Sequence, residues 1–483
     1  MKIIAFILAA SMILSLVSCS NTEIATTGGV QEDVASEAET DAVTGREEIS
    51  DDLPEKDYQG KEFRIITPDY CEKDFLAESE TGALVSDAVF RRNQIVSERY
   101  NIKLSPDCTD NYTVVRDKVK SAVLSGDDAY DLVLQHQIDL ASFVSNKFFY
   151  DWNDISYINV EKPWWNYSSY KNLSIAGKSY MIIGSISPYF LGAYYCVYFN
   201  KQLAADYGVP DNLLYDIVLD GKFTIDYYIS LIRDTWRDLN GNGKHDENDF
   251  YGLAAQVTSY ATPFIYSFGE VTVTKNKDDI PELSMKTEKF ADIVNKVYTL
   301  FYDSNGTITT SGWELHTKTF LDSRAIFFNG VFQHSYNYFT DFEDDYGMLP
   351  YPKWDESQKK YYTMSDGSSP LAAVPATVQD TEYVGIITEA LAAESWKKVI
   401  PKIYDVALKV RGARDEQSLT VIDMIANSAI LDFGFVFCEY SGMGFTLSYL
   451  MERKSNNFAS YYASNVSAWE KRLEKITEQI TQD

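Results

Sequence analysis

Tyr130-Asp131-Leu132-Val133-Leu134 is a near-continuous apolar run of strand length, the character of a strand buried inside a parallel sheet. On its N-terminal side, Val114 to Leu124 reads as a helix and Asn101 to Leu104 as a short strand. Further back, Val85, Ala88, Val89, Ile95, Val96 and Tyr100 fall on one helical face. Before them Lys61-Glu62-Phe63-Arg64-Ile65-Ile66-Thr67 reads as a strand that Pro68-Asp69 ends. Strand, helix, strand, helix, strand at this spacing predicts right-handed crossovers and an α/β layered domain.

A second block begins at Tyr194-Tyr195-Cys196-Val197-Tyr198-Phe199-Asn200-Lys201. One helix carries Ile225, Tyr228, Ile229, Ile232 and Trp236 on one face, and another carries Phe290, Ile293, Val294, Val297, Tyr298 and Phe301. Strands are expected at Ala325-Ile326-Phe327-Phe328 and Tyr346-Gly347-Met348-Leu349-Pro350, and a final helix, charged on most faces, at Ser467 to Ile480. The more than 400 residues after Tyr58 are too many for one core and suit two.

The N-terminus predicts the compartment. Lys2 precedes an apolar core, Ile3 to Val17, shorter than the roughly 20 residues of a spanning helix, so residues 1–18 read as a cleaved secretion signal. Leu16-Val17-Ser18-Cys19 resembles a bacterial lipobox, which makes Cys19 the expected lipidation site. Residues 19–57 hold little to bury and read as a disordered, lipid-anchored tether. The expected place is the extracellular face of the bacterial cytoplasmic membrane.

A formal charge of −28 argues against nucleic acid and anionic membrane surfaces as partners. The cysteines beyond Cys19 (Cys71, Cys108, Cys196 and Cys438) have no metal-ligand spacing; one or two bridges are possible, without a pairing readable from spacing.

The most specific local pattern is Asp238-Leu239-Asn240-Gly241-Asn242-Gly243-Lys244-His245-Asp246-Glu247-Asn248-Asp249. Asp238, Asn240, Asn242, Asp246 and Asp249 stand at positions 1, 3, 5, 9 and 12 of an EF-type loop, with Gly243 at the turn and Lys244 offering its carbonyl. That spacing wraps oxygens around one point, as a hard cation requires. A structural calcium ion is expected. Aspartate at the twelfth position resembles dockerin loops and gives a shorter arm than the usual glutamate.

No phosphate loop, zinc-binding His pair, nucleophile elbow or Cys-x-x-Cys occurs, so no catalytic residue is assigned and an enzyme is not expected. Aromatic residues make up 14% of the chain, 35 of them tyrosine. Their flat faces suit the C–H face of a pyranose, and their polar tips suit hydroxyls. Trp164, Trp165, Tyr189, Phe190, Phe332 and Trp354 are candidates, with core packing as the alternative for each.

In order along the chain, Asp87-Ala88-Val89-Phe90-Arg91-Arg92-Asn93, Tyr130-Asp131-Leu132-Val133 and Lys162-Pro163-Trp164-Trp165-Asn166 are followed by Phe199-Asn200-Lys201 and Tyr251-Gly252-Leu253. Asp345 to Lys353, Val374-Pro375-Ala376 and Arg414-Asp415 complete the series. Together with the lipobox, it resembles the extracellular solute-binding proteins of ABC importers, in the broad group that contains maltose-binding protein. The resemblance implies a two-lobed, periplasmic-binding-protein-like fold of type II. Each lobe would be a mixed sheet flanked by helices, with hinge strands between. The implied divisions are 58–188 with 371–410 for the N-terminal lobe and 189–370 with 411–483 for the C-terminal lobe. It implies ligand contacts at Asp69, Tyr70, Gln135, His136, Gln137, Tyr189, Phe332, Trp354 and Asp366. It further implies a monomer that captures a sugar or oligosaccharide and hands it to importer permease subunits. Where relatives carry tryptophan, Gln135 and Phe332 stand here. The alternatives are a peptide, polyamine or phosphorylated solute on the same fold, or a secreted carbohydrate-active enzyme.

Overall fold

The computed structural model describes residues 45–409, 416–439 and 442–482. The chain divides into two units, Met1–Glu48 and Ile49–Asp483, and both main sheets lie in the second. The signal segment, the lipidation candidate Cys19, most of the tether and the Arg414-Asp415 pair lie outside the described residues.

The first sheet is built from β1 (Lys61–Pro68), β2 (Ile102–Thr109) and β3 (Leu132–His136), all parallel, with Ile65 opposite Leu132 and Lys61 opposite Ile102. The third strand begins two residues later than its apolar run suggests. Just before it, Asp131 still donates its N–H to Arg64 O at 2.8 Å, while its buried carboxylate takes the Arg64 guanidinium at 2.6 Å and the Arg64 N–H at 2.7 Å in place of a strand pairing.

The second sheet contains β4 (Tyr195–Asn200), β5 (Tyr251–Gln256), β6 (Thr307–Thr310), β7 (Ala325–Val331) and β8 (Tyr346–Leu349), in the spatial order β8-β4-β7-β5-β6. β5 is parallel to β6 and β7, whereas β4 runs antiparallel to β7 and β8. The chain then returns to the first sheet as β9 (Pro370–Ala373), antiparallel to β3, which completes the order β9-β3-β1-β2. The helices Thr381–Glu394 and Ile400–Lys409 pack on Leu84–Tyr100 beside the first sheet. Glu416–Asn427 packs on β8 and on the helix Asp211–Leu219, beside the second.

Three expectations change. The helix Ile225–Ile232 stops short of Trp236, because Gly252 and Gly306 bring backbone against its last turn. A Cβ on Gly306 would lie 1.8 Å from the Ile232 carbonyl, so only glycine fits there. Trp236 instead stacks on His245 at 4.0 Å. The final helix runs Phe458–Thr481 and is amphipathic, burying Trp469, Leu473, Ile476 and Ile480. Cys71, Cys108, Cys196 and Cys438 form no disulfide, so the possible bridges are not made among the described residues. Among the described residues, no helix is long and apolar enough to cross a membrane.

Candidate functional site

The segments that follow β1 and β7, one strand from each sheet, border a shared cavity, in keeping with crevice binding at strand ends in α/β sheets. Asp69, Tyr70 and the short helix Asp69–Asp74 follow β1 directly. On the opposite side, Gln333 to Tyr338 follow β7. Between them lies a cavity of about 690 Å³, within the ordinary range for small-molecule sites. Its walls include Asp69, Tyr70, Glu72, Lys73 and Asp74 from the first lobe and Gln333, Tyr336, Asn337 and Tyr338 from the second. Pro188 and Tyr189 of the crossing segment also line it.

Two tyrosines meet at the crossing. Tyr70 and Tyr189 lie 5.1 Å apart, and the Tyr70 hydroxyl is buried without a hydrogen-bond partner. Burial pushes both phenols well above their ordinary range, so both stay protonated and can donate. The Tyr336 hydroxyl rests against Gly192, where a Cβ would stand only 2.1 Å from it. The crossing is tied to both sides. Gln333 N–H donates to Gly192 O at 2.9 Å, and Tyr189 N–H donates to the Asp74 carboxylate at 3.1 Å. Ser187 also donates to Asp74, and burial raises that carboxyl to about 6.

Apart from the cavity lining, a cluster of polar residues joins β3 to the return crossing. Gln137 N–H donates to Gly367 O, and its side-chain amide donates to Asp366 O, each at 3.0 Å. The Asp366 carboxylate accepts from Tyr195 at 2.6 Å. His136 stacks on Tyr112 at 4.8 Å and meets Asp139 at 3.1 Å.

Of the residues singled out in sequence, Asp69, Tyr70 and Tyr189 line the cavity, while His136, Gln137 and Asp366 lie outside its lining, in the polar cluster between β3 and the return crossing. Three more are also placed outside it. Gln135 is buried, donating to Tyr112 O and accepting from His136 N–H at 2.7 Å each, which leaves its amide engaged within the first lobe. Phe332 is buried in the core edge-on to Tyr194, because its N–H pairs with the crossing segment at Tyr194 O. Trp354 packs on Phe268 at 5.4 Å under the Lys296 ammonium, outside the cavity wall. Trp164 and Trp165 are buried, and their indoles donate to Glu389 at 2.9 and 2.8 Å. The sequence reading missed Lys73, Asp74, Gln333, Tyr336, Asn337 and Tyr338. The available signal was two tyrosines within seven residues of the end of a buried strand.

In the Asp238–Asp249 loop, Asp238 accepts from the N–H groups of Gly241 at 2.6 Å and Gly243 at 2.7 Å. The Asn242 side-chain amide donates to Asp246 at 2.6 Å and that of Asn240 at 3.2 Å, while Lys244 N–H donates to Asn242. The Asn248 N–H and these amides hold the Asp246 carboxyl down at about 2. Asp249 is fully buried and turned aside, accepting from Trp236 at 3.0 Å, Leu239 N–H at 3.1 Å and Asp246 N–H at 3.2 Å. Asn240 and Asn242 thus turn their amide nitrogens toward Asp246 and their oxygens toward backbone N–H groups, and Asp249 is turned aside, so the loop as folded does not converge the oxygens a hard cation needs. Among the described residues, no three His, Cys, Asp or Glu side chains form a metal-binding group.

This fold is that of the two-lobed solute-binding proteins of ABC importers. The GacH receptor of Streptomyces glaucescens, solved unliganded and with acarbose, is similar over 86% of this chain and 99% of its own, at 12% identity and a TM-score of 0.56. The galacto-N-biose-/lacto-N-biose I-binding protein of the ABC transporter from Bifidobacterium longum, in complex with lacto-N-biose, is 13% identical over 86% and 98%, with a TM-score of 0.55. UgpB from Mycobacterium tuberculosis, in complex with glycerophosphocholine, is 14% identical over 87% and 98%, also at 0.55. These neighbours are binding proteins, and at such identities the likeness shows the fold. No protein-family model and no curated protein sequence matches the chain.

Proposed function

We propose that this chain is an extracytoplasmic solute-binding lipoprotein that captures a sugar or oligosaccharide between its lobes and delivers it to an ABC importer. The observation that carries the reading is the cavity between the strand ends of the two sheets, walled by Tyr70, Tyr189, Tyr336 and Tyr338. Tyrosines offer a pyranose both a flat face and a hydroxyl. Lys73 lines the cavity together with Asp69, Glu72 and Asp74, a charge balance that favours a neutral solute over an anionic one. Contacts from both lobes would stabilise the closed cleft, and that difference between open and closed forms is what a transporter could recognise. No bond is made or broken.

Thermal-shift and calorimetric titration with maltotriose, mannotriose, lacto-N-biose and acarbose tests this. A ligand at about 100 times its Kd adds about 2.7 kcal/mol of stability. Tyr189→Ala and Tyr336→Ala should each weaken that ligand at least about tenfold, about 1.4 kcal/mol. Silence across the panel would favour a non-sugar solute, a reading encouraged by the glycerophosphocholine complex of one neighbour. Appearance of cleaved glycan would instead indicate an enzyme. Lipid attachment at Cys19 predicts that Cys19→Ser moves the protein from the membrane fraction to the medium.

A further inference from the structure

A turn of the first lobe meets a hairpin of the second. Ile175 and Lys178 close the turn around Ala176 and Gly177, whose φ angles are 52° and 77°. It belongs to the first lobe, because Trp152 N–H donates to Ser179 O at 2.8 Å and Ile182 bridges to Ala372 of β9. Opposite it, Val273–Lys275 pairs antiparallel with Pro281–Leu283, and the hairpin tip holds Asp279 at a φ of 60°. That hairpin packs on the final helix Phe458–Thr481, which also carries the ring of Phe458 4.9 Å from Phe290 in the second lobe.

The contacts between the two tips are direct. Ala176 N–H donates to Asp279 O at 3.0 Å, and Gly177 N–H donates to the Asp279 carboxylate at 2.9 Å. Lys275 Nζ, itself paired with Asp279 at 2.9 Å, reaches Lys171 O at 2.7 Å and Ser174 Oγ at 3.0 Å. Beside the tips, Lys178 donates to Ile480 O at 3.1 Å and Lys147 to Gln482 O at 2.8 Å. These carbonyls close the C-terminus of the final helix, where the helix dipole favours cations. Ala176 and Asp279 both adopt left-handed backbone, uncommon for residues with a Cβ, and both sit at points of contact. Beneath the polar layer, one apolar cluster runs from Ile138, Leu140 and Phe143 of the first lobe to Phe433 and Phe437 of the second.

We infer that these contacts form a clasp that holds the lobes together before any solute arrives. The inference stands whichever solute the cleft takes, because it concerns the ligand-free protein.

Small-angle scattering and hydrogen exchange on the ligand-free full chain test it. Two paired variants are compared with wild type. Lys275→Met with Asp279→Asn removes the tip contacts, asparagine being chosen because it tolerates left-handed backbone. Lys147→Met with Lys178→Met removes the helix-end contacts without touching either turn. The expected result in both is a larger radius of gyration. Exchange at the amides of Ala176 and Gly177 should be at least about tenfold faster in the tip variant. If one pair fails to fold, the other and wild type still decide. Unprotected Ala176 and Gly177 amides in wild type, or folded variants with the wild-type radius and exchange, overturn the clasp.

Discussion

Asp74, Glu389 and Asp432 are carboxyl groups that burial raises to about 6, 7 and 6. Their unfolded values lie near about 4, so the native state binds protons more tightly than the unfolded one. The stability they contribute is complete below about pH 4 and is lost as pH rises through 6 to 7. The melting temperature should therefore fall between pH 5 and pH 8, and Asp432→Asn should flatten part of that slope. Asparagine keeps an oxygen for the Thr272, Tyr266 and Phe435 N–H donors that Asp432 accepts from. A melting curve series with no such slope would show these acids ionising without cost. Glu389 is less replaceable. Both its oxygens are taken by indole N–H groups, so Glu389→Gln turns an amide N–H toward one of them and should cost about 1–3 kcal/mol in denaturant unfolding.

At the scale of elements, the Asp238–Asp249 loop is held by its own backbone amides, with Asp249 buried away from the other oxygens. We propose that calcium occupies it as a structural ion, which requires the Asn240 and Asn242 amides to turn their oxygens inward. Millimolar calcium should then raise the melting temperature and a chelator lower it, with Asp238→Ala abolishing both shifts. Equal melting in calcium and chelator would leave the loop as a set of side-chain-capped turns. Strand β5 follows this loop directly, and the Tyr251 hydroxyl donates to Asp246 O at 2.8 Å, so the loop's rigidity bears on where the start of that strand is held.

At the scale of the whole molecule, a formal charge of −28 sets the acidic surface against itself. Salt screens that repulsion over a Debye length of about 8 Å at 0.15 M ionic strength. Raising sodium chloride from 10 to about 150 mM should raise the melting temperature, most at pH 8, where the carboxylates are fully ionised. An unchanged or lower melting temperature would mean that ion pairs such as Arg64 with Asp131 outweigh the repulsion.

Residue order alone determined the layering. The run Leu132-Val133-Leu134 and the helical stripe of Ala88, Val89, Val96 and Tyr100 are local patterns, and periodicity reads them directly. It also pointed to loops at strand ends, where Asp69 and Tyr70 stand. The tertiary structure decided which side chains reach the cavity. Phe332 turns into the core and Tyr336 takes the wall, because backbone pairing at Tyr194 and the missing Cβ of Gly192 fix their directions from more than a hundred residues away. A side chain's facing depends on its partners in space, and periodicity carries no information about partners that distant.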